Sequence, residues 1–181
     1  MRETFCKEKS RRLFLIFGFV LLCAGALTLL ARDIPDFEAT DIDGKAFKFA
    51  DIIGKKIVVI DFWATYCIQC RPMLDQLQIL YNKYKDKGFD VVIISVDTPQ
   101  NVGKIKPYFK SRGYPFTVIL DTDSQISRVL KPGKGLPSTI VVNKNGDIVL
   151  RHEGYKKGEE KLLEEKILSC IAEAEKPKEA K

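Results

Sequence analysis

Apolar residues change their spacing several times along this chain, and each change marks an element. From Leu13 to Ala31 runs an uncharged stretch, LFLIFGFVLLCAGALTLLA, whose one clearly polar member is Thr28. As a helix its nineteen residues rise about 28 Å, the thickness of a bilayer's hydrocarbon core. Phe37–Phe49 then reads as two short strands around the Asp43-Gly44 turn. Ile57–Phe62 (IVVIDF) is a β-branched run with little alternation, the pattern of a strand buried on both faces.

A helical period follows from about Gln69 to Lys87. It carries Met73, Leu74, Leu77, Leu80, Tyr81 and Tyr84, with Gly88 as the stop. Val91–Val96 is a second buried strand. Gln100–Arg112 is a helix with Pro107 as a kink and Gly113 at its end. Thr117–Asp121 gives a third strand and Ile126–Leu130 a short helical turn. Ser138–Val142 and Ile148–Arg151 flank an Asn145-Gly146 hairpin signal. Glu159–Ala174 closes as an amphipathic helix with Leu162, Leu163, Ile167, Leu168 and Ile171 on one face. Strands that first alternate with helices and then end in a hairpin and a helix predict an α/β sandwich around a mixed central sheet.

Charge sharpens the layout. The chain of 181 residues has a net charge of +6. Residues 1–32 hold six Lys/Arg against Glu3 and Glu8, a net of +4, so the remainder is only +2. A nearly balanced domain offers no footprint for nucleic acid. Five of these six basic residues lie ahead of the apolar run, which places the N-terminal tail in the cytoplasm and exports the rest. The expected organisation is a basic tail over 1–12, a signal or anchor helix over 13–31, a folded domain over 34–174 and a loose tail over 175–181. Ala24-Gly25-Ala26 offers a cleavage site, but the apolar run continues through Leu30, which favours an uncleaved anchor. The localisation expected is the bacterial cell envelope, with the domain outside the cytoplasm, or secreted if the segment is cleaved.

The chemistry sits where IVVIDF runs into Trp63-Ala64-Thr65-Tyr66-Cys67-Ile68-Gln69-Cys70 and a helix begins. A sulfur at a helix N-terminus meets unpaired N–H groups and the positive end of the helix dipole, both of which favour the reactive thiolate. A two-residue spacer puts the second sulfur within disulfide reach. Cys67 is therefore the attacking residue and Cys70 the resolving one. A purely structural staple would gain little from so short a loop. A zinc site lacks a second Cys/His pair. Trp63 and Tyr66 are expected to pack around the dithiol as an apolar lid, and Ile68 and Gln69 form the dipeptide that tunes its potential. Cys6 and Cys23 fall in the tail and the apolar run. Cys170 reads as a small core residue, and His152, the one histidine, as a surface residue at a strand end.

VVIDFWATYCIQC, GYPF at Gly113–Phe116 and Gly135-Leu136-Pro137-Ser138-Thr139 ahead of a strand and an Asn-Gly turn resemble the thioredoxin superfamily. They resemble in particular its membrane-tethered TlpA/ResA branch, which includes DsbE-type cytochrome c maturation proteins. The likeness runs over about residues 34–172. It implies a thioredoxin-like fold and a cis-proline at Pro137 facing the dithiol. It also implies that the Leu136 backbone pairs with a substrate strand beside Cys67. Asp61 matches a buried acid of thioredoxins that accepts the Cys70 proton. Two positions depart from the branch, which more often has Asn at 61 and Glu at 73, where this chain has Asp61 and Met73. Pro72 is a further departure, placed where a missing N–H costs least.

The resulting expectation is a thiol-disulfide oxidoreductase, acting as a reductase with no cofactor beyond its own disulfide and no metal. Its implied partners are exported protein thiols and disulfides, apocytochrome c among them, and a membrane electron donor of the DsbD/CcdA type. A peroxiredoxin needs Thr three and Pro seven residues before its cysteine, where this chain has Ala64 and Ile60. The alternative from another class is a copper-binding module of the Sco type using Cys67, Cys70 and His152. That family spaces its cysteines by three residues rather than two.

Overall fold

The structure, a computed structural model, describes residues 33–176. The expected basic tail and anchor, with Cys6 and Cys23, lie outside the described residues, as do residues 177–181. Among the described residues no helix is long and apolar enough to cross a membrane.

The expected N-terminal pair is β1 (Glu38–Thr40) and β2 (Ala46–Lys48), antiparallel. Asp41 shapes their turn by accepting the Asp43 and Lys45 N–H groups, and Gly44 takes the left-handed conformation there. A second sheet has the order β5-β4-β3-β6-β7. Its strands are β3 (Ile57–Trp63), β4 (Phe89–Ser95), β5 (Thr117–Leu120), β6 (Ser138–Val142) and β7 (Ile148–Glu153). β3, β4 and β5 run parallel, whereas β6 is antiparallel to both β3 and β7. This is the mixed sheet expected from the pattern.

β3 is buried along its whole length because both of its faces are covered. Ile57, Val59 and Trp63 face one core, shared with α1 (Cys70–Tyr84), α2 (Val102–Arg112) and α4 (Glu160–Glu175). Val58, Ile60 and Phe62 face the other, built with Phe37, Phe49 and α3 (Gln125–Leu130). Alternation along the strand therefore assigns Asp61 to the same face as Val59 and Trp63.

Two expectations about helices change. Pro99–Asn101 forms a separate 3₁₀ turn before α2, and α2 continues through Pro107 to a left-handed Gly113. In α4 the buried seam is Leu163, Ile167, Cys170 and Ile171, and Leu162 and Leu168 are exposed. At about 100° per residue those two leucines fall beside the seam, and Cys170 sits in it as the small core residue expected. The helix also extends to Glu175, one residue into the expected tail.

Candidate active site

β3 delivers the chain to the site, and a turn closed by the Cys67 N–H to the Ala64 carbonyl leads into α1. Cys67 and Cys70 are joined as a disulfide with their Cα atoms 5.3 Å apart. Cys70 is the first residue of α1, and its N–H points at Cys67 Sγ at 3.1 Å. No side chain caps this end of the helix. The Cys70 N–H is thus left to the sulfur, and the two cysteines differ in access. Cys67 keeps 8% of its surface exposed, whereas Cys70 keeps none. Cys67 is the sulfur a partner can reach.

Asp61 is fully buried, six residues before Cys67. Thr139 Oγ1 donates a hydrogen bond to its Oδ1 at 2.7 Å, and Oδ2 has no partner. Burial pushes the Asp61 carboxyl up to about 7, against the opposing pull of the Thr139 hydrogen bond. A carboxyl titrating near neutrality can take up a proton and give it back.

The Leu136–Pro137 peptide is cis. Ser138 pairs with Phe62, so Pro137 lies level with Trp63 at the end of β3 that leads to the dithiol. Leu136 is half-buried. The loop before it is held by two side chains: the Gly133 N–H donates to Ser138 Oγ and the Gly135 N–H to Glu153 Oε2.

Tyr66 does not form the expected lid. It is 65% exposed, at the tip of the turn, and Ile68 on the other side of Cys67 is 78% exposed. The turn from Ala64 to Cys67 directs residue 66 away from the core. Trp63, the last residue of β3, is buried instead and stacks on Tyr108 at 5.4 Å, with Phe109 edge-on at 5.0 Å. Gln69 is an exposed residue directly before α1.

The residues of 30–151 match the AhpC/TSA family. The chain belongs to that family. It is 30% identical over 155 residues to the thiol-disulfide oxidoreductase ResA of Bacillus cereus, covering 78% of this chain and 87% of the relative. The ResA of Bacillus subtilis is also 30% identical, over 156 residues, 78% of this chain and 85% of that one. Among solved structures, a DsbE-type thiol:disulfide interchange protein of Chlorobium tepidum superposes with a TM-score of 0.69. It is 31% identical, with 76% of this chain and 94% of that one covered. This AhpC/TSA family member is a thiol-disulfide oxidoreductase of the ResA and DsbE type with a thioredoxin-like fold, and Cys67–Cys70 is its disulfide.

The fold does not bring His152 into one group with the two sulfurs. Its Nε2 lies 3.2 Å from Glu159 Oε2, at the end of β7. Among the described residues, no three His, Cys, Asp or Glu side chains are grouped to hold a metal ion. Cys170 is buried in the α4 seam, its thiol pushed up to about 11 by desolvation.

One residue that supports the site was not anticipated. Asp97, buried just past β4, accepts the Thr65 N–H at 2.9 Å, the Thr65 hydroxyl at 2.5 Å and the Ser95 hydroxyl at 2.9 Å. It fixes the turn two residues before Cys67. An acid directly after a buried β-branched strand is the only signal the sequence carries for it.

Proposed function

We propose that this oxidoreductase reduces disulfides of exported proteins, working outside the cytoplasm on the tether of residues 13–31. The observation that carries the reading is the asymmetry of the pair: a reachable Cys67 receiving the Cys70 N–H, and a sealed Cys70, with a buried acid on the strand that leads to them. Cys67 thiolate attacks a substrate disulfide, forming a mixed disulfide and expelling one substrate thiolate. Cys70 gives its proton to Asp61 and attacks Cys67 Sγ, which expels the second substrate thiolate and forms the Cys67–Cys70 bond. Two electrons leave the dithiol, and a membrane donor of the DsbD/CcdA type returns them.

Tyr66 and Ile68 offer apolar surface on both sides of Cys67, and the Leu136 backbone offers pairing to an extended segment. Chains with closely spaced cysteines, such as the haem-attachment site of apocytochrome c, suit this arrangement. Ile68 and Gln69, in the first turn, act on the thiolate's stability and so tune the couple. The deciding measurement is the reduction potential of Cys67–Cys70 in the full-length protein, together with reduction of insulin. A potential near that of thioredoxin, about −270 mV, fits a reductase. One near about −120 mV marks an oxidant and refutes this direction.

A further inference from the structure

Sheet register aligns three polar residues across three strands. Asp61 on β3 pairs with Thr139 on β6, and Thr139 pairs with His152 on β7. The preceding row on the same face, Val59–Val141–Leu150, is wholly apolar. Directly paired residues point to the same side of a sheet, so the polar row runs from the buried carboxyl toward the sheet's edge under α4. Its inner contact is the 2.7 Å hydrogen bond from Thr139 to Asp61, and its outer contact is the 3.2 Å approach of His152 to Glu159. Between them Thr139 and His152 line one small cleft of about 10 Å³, room for a single water, with Met73 forming part of the wall. His152 is about a quarter exposed and Glu159 about a third, so the row ends at solvent.

We infer that Thr139 and His152 form the proton outlet of Asp61. The inference rests on the proposed role of Asp61 in resolution. Below about pH 7 Asp61 carries a proton before the reaction starts, and it must lose that proton before it can accept the one from Cys70. Asp61 passes a proton to Thr139 Oγ1 as the hydroxyl releases its own toward the cleft, where the imidazole takes it and yields it to water. Only O–H and N–H bonds form and break, and one proton leaves for each one taken up. A hydroxyl can accept and donate at once, and an imidazole has one nitrogen that donates and one that accepts. The ionisable groups facing the cleft besides His152 are Tyr155, Glu159 and Glu160. Tyr155 donates to Glu160 and is pushed up to about 12, which removes it as a carrier at neutral pH. Glu159 is held below the usual carboxylate range by the Lys156 N–H and His152, so it stays charged beside the imidazole. Among the described residues, Thr139 is the one side chain hydrogen-bonded to Asp61. Thr139 and His152 are positioning residues in this scheme: neither touches substrate.

The test is single-turnover oxidation of the reduced full-length protein by a small aromatic disulfide at about pH 6, where Asp61 starts protonated, followed by fluorescence of its one tryptophan, Trp63. The expected result is that His152→Ala slows the resolution step on the order of tenfold in dilute buffer. Added imidazole restores it in proportion to concentration, whereas Thr139→Val is slowed and not restored. Wild type is indifferent to imidazole. A His152→Ala protein as fast as wild type in dilute buffer overturns the outlet, and so does one whose slowing imidazole leaves unchanged. Protein that reacts with the small disulfide but not with insulin refutes the reductase reading alone, and the imidazole response still decides the outlet.

Discussion

Thr139 Oγ1 donates to one oxygen of Asp61 at 2.7 Å while the other oxygen, equally buried, has no partner. A half-satisfied carboxyl in a dry site is comfortable neutral and costly ionised. That relationship links the stability of the fold to the chemistry of the dithiol.

The stability effect has a definite sign. Native Asp61 keeps its proton up to about pH 7, whereas the unfolded chain loses it near the ordinary 3.8. Between those values the native state holds more protons, so stability falls as pH rises through that window, by about 1.4 kcal/mol per pH unit for this group. Asp61→Asn keeps an acceptor for Thr139 and does not titrate. The variant is expected to be more stable than wild type at pH 8, by a few kcal/mol. The gap should close toward pH 4, as urea denaturation at the two pH values will measure.

The same substitution should slow turnover. Without a carboxylate to take the Cys70 proton, insulin reduction by Asp61→Asn is expected to fall on the order of tenfold to a hundredfold. Its rate should also lose the rise through pH 7 that wild type shows as Asp61 ionises. An unchanged pH profile would remove Asp61 from the reaction.

The cysteines should separate by role. Cys67→Ser is expected to reduce insulin at background rate, because the buried Cys70 cannot reach a partner. Cys70→Ser should attack and then stall, accumulating a mixed disulfide visible by non-reducing electrophoresis and mass spectrometry. The reverse pattern would exchange the two assignments.

Asp97 should matter despite touching no substrate. Asp97→Ala strands the Thr65 N–H and the Thr65 and Ser95 hydroxyls, and is expected to cost about 3 kcal/mol in denaturant unfolding. Loosening the turn before Cys67 should also speed alkylation of Cys70 in the reduced protein, since the seal over it depends on that turn.

The loop before Pro137 allows a coupled test. A Cβ at position 133 would overlap the Glu153 carboxyl, which bonds the Gly135 N–H. Gly133→Ala therefore displaces Glu153 and frees the loop. KM for a protein substrate should rise several-fold, with little effect on small disulfides. In a Glu153→Ala background the same change should cost almost nothing further, as a double-mutant cycle will show.

What could be read before the structure was local and periodic. The β-branched runs of β3 and β4, the Asn145-Gly146 hairpin and the placement of Cys67 at a helix start are each encoded within a few residues. Asp61 was legible through the resemblance, as the counterpart of a buried acid of thioredoxins. Tyr66 was not, since the direction of its side chain depends on the turn from Ala64 to Cys67 rather than on its apolar character. The supports at Asp97 and Glu153 were hidden for a different reason: each reaches a loop 18 to 32 residues away, and only the sheet brings the two together. Leu162 and Leu168 misled because a helix edge tolerates apolar residues that the seam does not use.

Cys170 gives the described domain a property unlike anything its core packing requires. A third thiol shut in the α4 seam, with its proton held tightly, is no rival for the disulfide. The electron pair therefore has no side exit within the fold. It leaves by the sulfur that brought it in, and the domain behaves as a single-port carrier whose traffic is set by whichever partner docks at Cys67.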